Sequence, residues 1–410
     1  MRIVIYWEQY GVGGTDTHLM NLLYGWPNRE DQFLILSNHE NNGLRRIEDN
    51  LLKLENVKIV TFRPLSAVAF KRRYEGRRFR MPFKVFWYLA QPMFFFWRMQ
   101  RQSYNYLSKI GNADVLISDN GGYPAAWGCL GAIISAKRCK IPKRILVIHH
   151  AARPPKFGKK TFERFVDLKV FDACTSIVAV SQATMKSIYD NRFISKQKKS
   201  IDVIYNGIDL SALRSPKLFV DTGSLRKQIN IRGKLLIGIM GKIERYKGHE
   251  DMIEALNLLG PDVLDKIKVL IIGEGKKGEI DRLTSLCNRD EVKSCLIFTG
   301  YIPGCSREII SQLDLIVVAT KDFEGFGLTL AEAMSVGTPI LATRVGGITE
   351  FVFHLKNGYL VSPKAPSEMA YAFRDFLKNR KEWLERAKSV NISYFSRERM
   401  GEEFYRAVIN

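Results

Sequence analysis

Two carboxylates eight residues apart, Glu324 and Glu332, stand in the run Lys321-Asp322-Phe323-Glu324-Gly325-Phe326-Gly327-Leu328-Thr329-Leu330-Ala331-Glu332-Ala333-Met334. The apolar residues 315–320 ahead of it predict a buried parallel strand. Residues 328–336 predict a helix, with Gly337 as its stop and Pro339 just beyond. Between strand and helix lies a glycine-rich turn, the place where free amides and a helix dipole converge on a ligand in an α/β sheet. Thr329 and Glu332 are three apart and share a helix face. A hydroxyl in the first turn can meet a phosphate. A carboxylate one turn deeper can accept from two neighbouring hydroxyls, as on a ribose. An acid in the loop can face a sugar.

Other stretches carry compatible chemistry. Lys242 and Lys247 sit five apart on a glycine-flanked loop after the apolar run 235–240. Two such cations can clamp a diphosphate and neutralise charge growing on a leaving group. Gly13 and Gly14 open a helix after the first strand, a geometry that presents amides to an anion. His149 is the first polar residue after the run 144–148, at a carboxyl end that points into the ligand crevice. No third ligand follows it at metal-site spacing, so zinc is not expected. Gly300 and Tyr301 end another strand and form a base-contact segment. Gly273, Gly275 and Gly278 make a formal Gly-x-Gly-x-x-Gly, a spacing that chance supplies often and that leaves an NAD enzyme a distant reading.

These residues need strands and helices in alternation to hold them. Strand-like runs at 2–6, 33–36, 57–61, 115–118, 144–148 and 177–180 alternate with helical stretches, and a second series starts at 235. That rhythm predicts doubly wound parallel sheets in an α/β protein. The chain of 410 residues is long enough for two or three domains with cores of their own. The opening run is strand-like rather than a signal peptide, and no apolar run reaches the ~20 residues of a membrane span. Six cysteines (129, 139, 174, 287, 295, 305) form no Cys-x-x-Cys and read as reduced thiols of a cytoplasmic protein.

The net charge of +21 is uneven. Residues 1–203 hold 33 Lys and Arg against 16 Asp and Glu, while residues 204–410 hold 30 against 26. The first half therefore faces something negative. Residues 63–109 concentrate the effect, with eleven Lys and Arg, one acid (Glu75), and the aromatics Phe83, Phe86, Trp87, Tyr88, Phe94, Phe95, Phe96 and Trp97. Pro92 is expected to split this apolar run. Basic residues beside aromatic ones suit an anionic bilayer surface, where each cation is worth about 1 kcal/mol. No RNA- or DNA-binding motif accompanies the charge, so nucleic acid is not an expected partner.

The segment Glu-Gly-Phe-Gly-Leu-Thr-Leu-Ala-Glu-Ala, with Glu-x7-Glu inside it, resembles the signature of the retaining GT-B glycosyltransferases of family 4. Asn-Gly-Ile-Asp at 206–209 resembles that family's link into its second domain, and Lys242 with Lys247 its basic pair. The first basic position is more often Arg in the family, and lysine makes a point contact where arginine makes a fork. The resemblance covers nearly the whole chain and is weakest over 63–110.

It implies the GT-B fold, two facing Rossmann-like domains with a cleft between them. Residues 1–203 would take the acceptor, residues 204–392 the nucleotide sugar, and residues 393–410 would return to the first domain. It implies a retaining transferase moving a hexose-type sugar from a UDP- or GDP-sugar. His149 and Glu324 would face the donor sugar and Glu332 the ribose. Lys242 and Lys247 would stabilise the leaving diphosphate. Gly13, Gly14 and the amides of Gly325, Phe326, Gly327 and Leu328 would orient phosphates and sugar. The basic, aromatic insert directs the acceptor reading to a lipid-linked or envelope glycan at the inner face of a membrane. No cofactor and no metal are expected, since no Asp-x-Asp occurs. The alternatives are a nucleotide-sugar epimerase of the same fold, which needs no acceptor, and a non-catalytic membrane- or nucleic-acid-binding protein, which would tolerate loss of Glu324.

Overall fold

Unbroken apolar runs such as Ile3-Val4-Ile5-Tyr6-Trp7 suit strands covered on both faces, and all five of these residues are at most 1 % exposed. In a computed structural model, which describes residues 1–65, 81–194, 199–210, 233–302 and 306–410, such runs build two parallel sheets. The first contains β1 (Arg2–Trp7), β2 (Gln32–Asn38), β3 (Val57–Phe62), β4 (Val115–Asn120), β5 (Lys143–Ile148), β6 (Ser176–Ala179) and β7 (Asp202–Val203). Its order is β3-β2-β1-β4-β5-β6-β7. The second contains β8 (Leu235–Met240), β9 (Ile267–Ile272), β10 (Leu296–Gly300), β11 (Leu315–Val318), β12 (Ile340–Thr343) and β13 (Tyr359–Val361), in the order β10-β9-β8-β11-β12-β13. Every neighbouring pair in both sheets is parallel.

The chain divides into two compact units, residues 1–207 with 398–410 and residues 208–397. The first boundary lies at 207/208 rather than at 203/204 as expected from the sequence. Past the end of β7 the chain is still tied to the first unit: Asn21 donates to the Gly207 carbonyl at 2.8 Å, and Arg399 to the Tyr205 carbonyl at 2.7 Å. The second lies at 397/398 rather than 392/393, because Phe395 packs against Phe326 and Phe351 of the second unit and Arg397 pairs with Asp209 at 3.0 Å. Each sheet has one point where the strand order reverses, between β1 and β4 in the first and between β8 and β11 in the second. The carboxyl ends of those strands diverge into a crevice.

The basic, aromatic insert differs from its expectation in one respect. Met81–Ile110 is one helix of 30 residues that runs through Pro92. A proline inside a helix costs about 3 kcal/mol. Burial of Phe95, Phe96, Met99 and Leu107 on the same helix offsets that, since full burial of such a side chain is worth about 1.5–3 kcal/mol. The basic run 71–80 lies outside the described residues.

Candidate active site

In the second unit the reversal point is where β8 and β11 release their loops. The β8 loop bends into a short helical turn, Arg245–Lys247, and closes on Gly248 at φ +73°. A side chain at Gly248 would meet the Ala319 carbonyl at 1.8 Å, so only glycine lets this loop lie against the end of β11. The Lys321 amide donates to the Tyr246 carbonyl at 2.8 Å and fixes the same contact.

Lys247 and Glu324, one from each loop, therefore meet. The Lys247 ammonium donates to Glu324 Oε2 at 2.7 Å, and the Thr320 hydroxyl donates to the same oxygen at 2.9 Å. Burial alone would lower the Lys247 pKa, but the Glu324 carboxylate, together with Tyr246 and Glu244, more than offsets it and raises the value. Behind them Gly346, at φ +51°, passes close over the Glu324 backbone, and the Gly347 amide donates to the Glu324 carbonyl at 2.9 Å.

Glu324 leads into Gly325, Phe326 and Gly327. Phe326 turns inward and stacks on Phe351 with centroids 5.0 Å apart, so its ring is core. Gly327, at φ +93° and ψ 56°, starts the helix Leu328–Val336. That helix has no side-chain cap and no acid in its first turn, so the first amides, on Leu328 and Thr329, have no side-chain oxygen from the helix start. Glu332, 7 % exposed, accepts from the Ser306 hydroxyl at 2.6 Å.

Lys242 is not drawn into this cluster. It is half exposed and pairs with Glu244 at 2.6 Å. Gly300, at φ +69°, accepts from the Gly273 amide at 2.9 Å, and Tyr301 is exposed. The formal Gly-x-Gly-x-x-Gly has a structural cause. A side chain at Gly273 would strike the Gly241 carbonyl at 2.0 Å, and one at Gly275 the Ile243 side chain at 2.9 Å. These glycines let the β9 loop lie against the β8 loop.

Four residues near this turn were given no role from the sequence. Lys321 is tied to Glu250 and, at 2.9 Å, to Asp251. Thr320 and Ser306 hold the two glutamates. His249, the first residue after Gly248, is buried, and burial followed by the Lys247 charge lowers its pKa to about 4.

The first unit builds a second cluster at its own reversal point. His149 Nε2 lies 2.5 Å from Asp119 Oδ1, with both side chains under 10 % exposed. The His18 ring meets the His149 ring edge-on at 4.4 Å, and His18 Nδ1 lies 2.9 Å from Asn206 Oδ1. The residues thus form a chain, Asp119–His149–His18–Asn206. Burial raises the Asp119 carboxyl, but the charge and hydrogen bond of His149 outweigh it and the net shift is downward. Burial, then His149, lowers His18 to about 4.

His18, Asp119 and His149 offer ligand atoms within 4.8 Å of one another, a grouping that sequence spacing hides. Two ligands on a tetrahedral zinc, each about 2.0–2.1 Å from it, stand about 3.3 Å apart. The 2.5 Å between His149 and Asp119 is instead a hydrogen bond. The rule that picked out His149, a polar residue at the carboxyl end of a parallel strand, picks out Asp119 when applied to β4.

Gly13 and Gly14 stand at the start of the helix Gly14–Gly25, and the Gly13 amide donates to Asp16 Oδ2 at 2.9 Å. Gln9 and Arg46 engage the same carboxylate.

Comparison with known proteins gives the family and the fold. Residues 12–212 match the model of "Glycosyltransferase Family 4" and residues 221–393 that of "Glycosyl transferases group 1". An uncharacterised glycosyltransferase of Methanocaldococcus jannaschii is 26 % identical over 228 residues, 52 % of this chain and 55 % of that protein. A lipopolysaccharide 1,2-N-acetylglucosaminetransferase of Salmonella typhimurium is 25 % identical over 238 residues, 55 % and 60 % of the two chains. The chain thus spans little more than half the length of these relatives. The Anabaena protein HepE, solved with UDP and glucose, superposes with a TM-score of 0.74 over 100 % of this chain and 99 % of its own, at 17 % identity. That likeness gives the fold, GT-B with two Rossmann-like sheets. Both halves of the chain match, and the chain belongs to the group 1, family 4 glycosyltransferases.

Proposed function

We propose that this protein transfers a hexose-type sugar from a UDP- or GDP-sugar, with retention, to a lipid-linked or envelope glycan. One observation carries the reading: Lys247 and Glu324 meet at the reversal point of the second sheet, eight residues before Glu332 and beside a helix start with no acid in its first turn. A diphosphate at this turn receives the amides of Leu328 and Thr329 and the Thr329 hydroxyl. Lys247 then exchanges part of its contact with Glu324 for phosphate oxygens and stabilises the charge left when the sugar departs. Glu332 takes the ribose hydroxyls, a role that replaces its contact with Ser306. Glu324 faces the sugar, and within the first unit Asp119 holds the His149 ring in orientation. The partners printed for relatives support this direction, since HepE binds UDP and glucose and the Salmonella enzyme acts on lipopolysaccharide.

The sequence offers no obvious covalent nucleophile, unlike a retaining glycosidase with its close carboxylate pair, so a front-face route fits best, in which the leaving diphosphate accepts the acceptor's proton. The route asks nothing of a metal ion, and turnover is expected to survive excess EDTA; its abolition would refute a metal-free route.

No helix of the described residues is long and apolar enough to cross a membrane. The helix Met81–Ile110 exposes Met93, Phe94 and Trp97, with Arg98 over the Phe94 ring at 5.1 Å. A groove of about 640 Å³ on the same helix is lined by Arg98, Arg101 and Lys109. Exposed rings beside cations support attachment to an anionic bilayer.

The test is calorimetric titration of the full chain with UDP, GDP and ADP, repeated on Glu332→Ala. Micromolar binding of one nucleotide, weakened at least tenfold in the variant, is expected. A folded protein that binds none of the three would end the transferase reading.

A further inference from the structure

Inside the first unit a cavity of about 370 Å³ opens beside Asp119. Apart from Asp119, none of its lining residues takes part in the contacts assigned above to the donor. Trp7, Phe95, Met99 and Trp127 give it an aromatic and apolar wall. Trp127 is locked in place, stacked on Phe162 at 5.8 Å and edge-on to Phe96 at 5.9 Å.

The charged groups of the cavity fall into two sets. Glu8 and Asp119 both press on the thiol of Cys129, which burial and then the Glu8 charge drive far upward. Glu8 is 7 % exposed, and Tyr10 donates to its Oε1 at 2.9 Å. A side chain at Gly128 would meet Glu8 Oε2 at 1.9 Å, so the helix beneath gives up a Cβ to seat this carboxylate.

The other set comes from the segment before the helix Lys160–Ala173 and from that helix's first turn: Lys156, Lys159 and Glu163. Glu163 is already matched by Arg192 at 2.8 Å, with both side chains at most 2 % exposed. Lys156 and Lys159 bring two cations to this wall of the cavity. Lys159 is only 7 % exposed, an unusual position for a lysine, and burial followed by its neighbour Lys156 lowers its pKa.

We propose that this cavity is an acceptor subsite for a sugar that carries its own anion. The ring lies against the aromatic wall, Glu8 and Asp119 accept from its hydroxyls, and a phosphate or carboxylate on it meets Lys156 and Lys159. Carboxylates suit hydroxyl donors, aromatic faces suit sugar C–H surfaces, and paired lysines suit an oxyanion. The inference rests on the transferase reading only in taking the first unit as the acceptor's place.

The test uses the full chain and the fluorescence of its tryptophans, two of which line the cavity. Glucose 1-phosphate, glucuronate, methyl glucoside and inorganic phosphate are titrated separately. The expected result is saturable binding of at least one of the two anionic sugars, ten times or more tighter than methyl glucoside and than inorganic phosphate. Which of the two binds names the anion. Lys159→Gln should weaken that binding at least tenfold and Lys159→Arg should restore most of it. Lys156→Gln, at an exposed position, serves if Lys159→Gln does not fold. Equal binding of the neutral sugar, equal binding of bare phosphate, no binding of any probe, or no effect of the lysine variants would overturn the subsite. UDP and GDP titrated into the same samples separate the two ideas. If a nucleotide binds and the sugars fail, the subsite alone falls; if no nucleotide binds, the transferase reading falls.

Discussion

The two reversal points use the same local plan and reach opposite ends. Each follows a first strand with a glycine-containing loop and sets a helix start beside it. In the first unit Asp16 occupies the helix start and takes the Gly13 amide at 2.9 Å. In the second, the helix Leu328–Val336 begins at a left-handed Gly327 with no acid and no side-chain cap. A helix start that carries its own carboxylate has already neutralised its dipole, and an incoming phosphate must displace that carboxylate. The lesson concerns charge rather than glycine count. The strongly basic half of the chain keeps acids at its reversal point (Glu8, Asp16, Asp119), while the nearly neutral half leaves a helix start with no acid in its first turn beside the partly exposed Lys247.

The largest effect that sharpens this contrast is expected from Lys247→Ala. Removing one positioned group that stabilises a leaving charge costs about 10²–10³ in turnover, and kcat with the identified donor is the measurement. Unchanged kcat would move the chemistry out of the second unit.

Next comes a pH effect common to both units. His18 and His249 are buried with pKa values lowered to about 4 from an ordinary value near 6.5. The unfolded chain therefore binds more protons than the native one between those values. Stability should fall as pH drops from 6.5 to 4, by about 3 kcal/mol for His18, and level off below. Chemical denaturation across that range should show the slope, and His18→Gln should remove it from the first unit only. A flat profile in the wild type would mean these rings are hydrated.

A smaller effect should follow from giving the second unit what the first one has. Thr329→Asp places an acid in the first turn of the helix Leu328–Val336. It should stabilise that helix by a few tenths of a kcal/mol and weaken nucleotide binding about tenfold or more, read by calorimetry. Binding that survives intact would show that the open helix start is not what admits phosphate.

Much of this was legible in the sequence, for identifiable reasons. Buried parallel strands are written as apolar runs, so β1, β4, β5, β8 and β11 could be placed within a residue or two. The helix after Gly327 matched its predicted limits because Gly337 stops it with φ +71°. Glu324 and Lys247 could be named, but their 2.7 Å contact could not, because 77 residues separate them. Asp119 and His18 stayed hidden for the same reason, each lying on a separate strand end or helix. Pro92 misled because local propensity yields to tertiary burial along the Met81–Ile110 helix.

The terminal helix Arg397–Ile409 has a consequence for synthesis. Its Met400, Phe404 and Val408 belong to the same core as Ile3, Leu19, Leu22 and Trp26. Gly401 sits so close to the Gly25 carbonyl that a side chain would lie 2.0 Å from it. The Gly207 amide meets the Met400 sulfur 193 residues further on. The first half of the chain therefore leaves the ribosome with an apolar face uncovered and waits for nearly 200 more residues to be translated. A fragment ending at residue 207 should come out sticky, and chaperone dependence should be greatest during that interval.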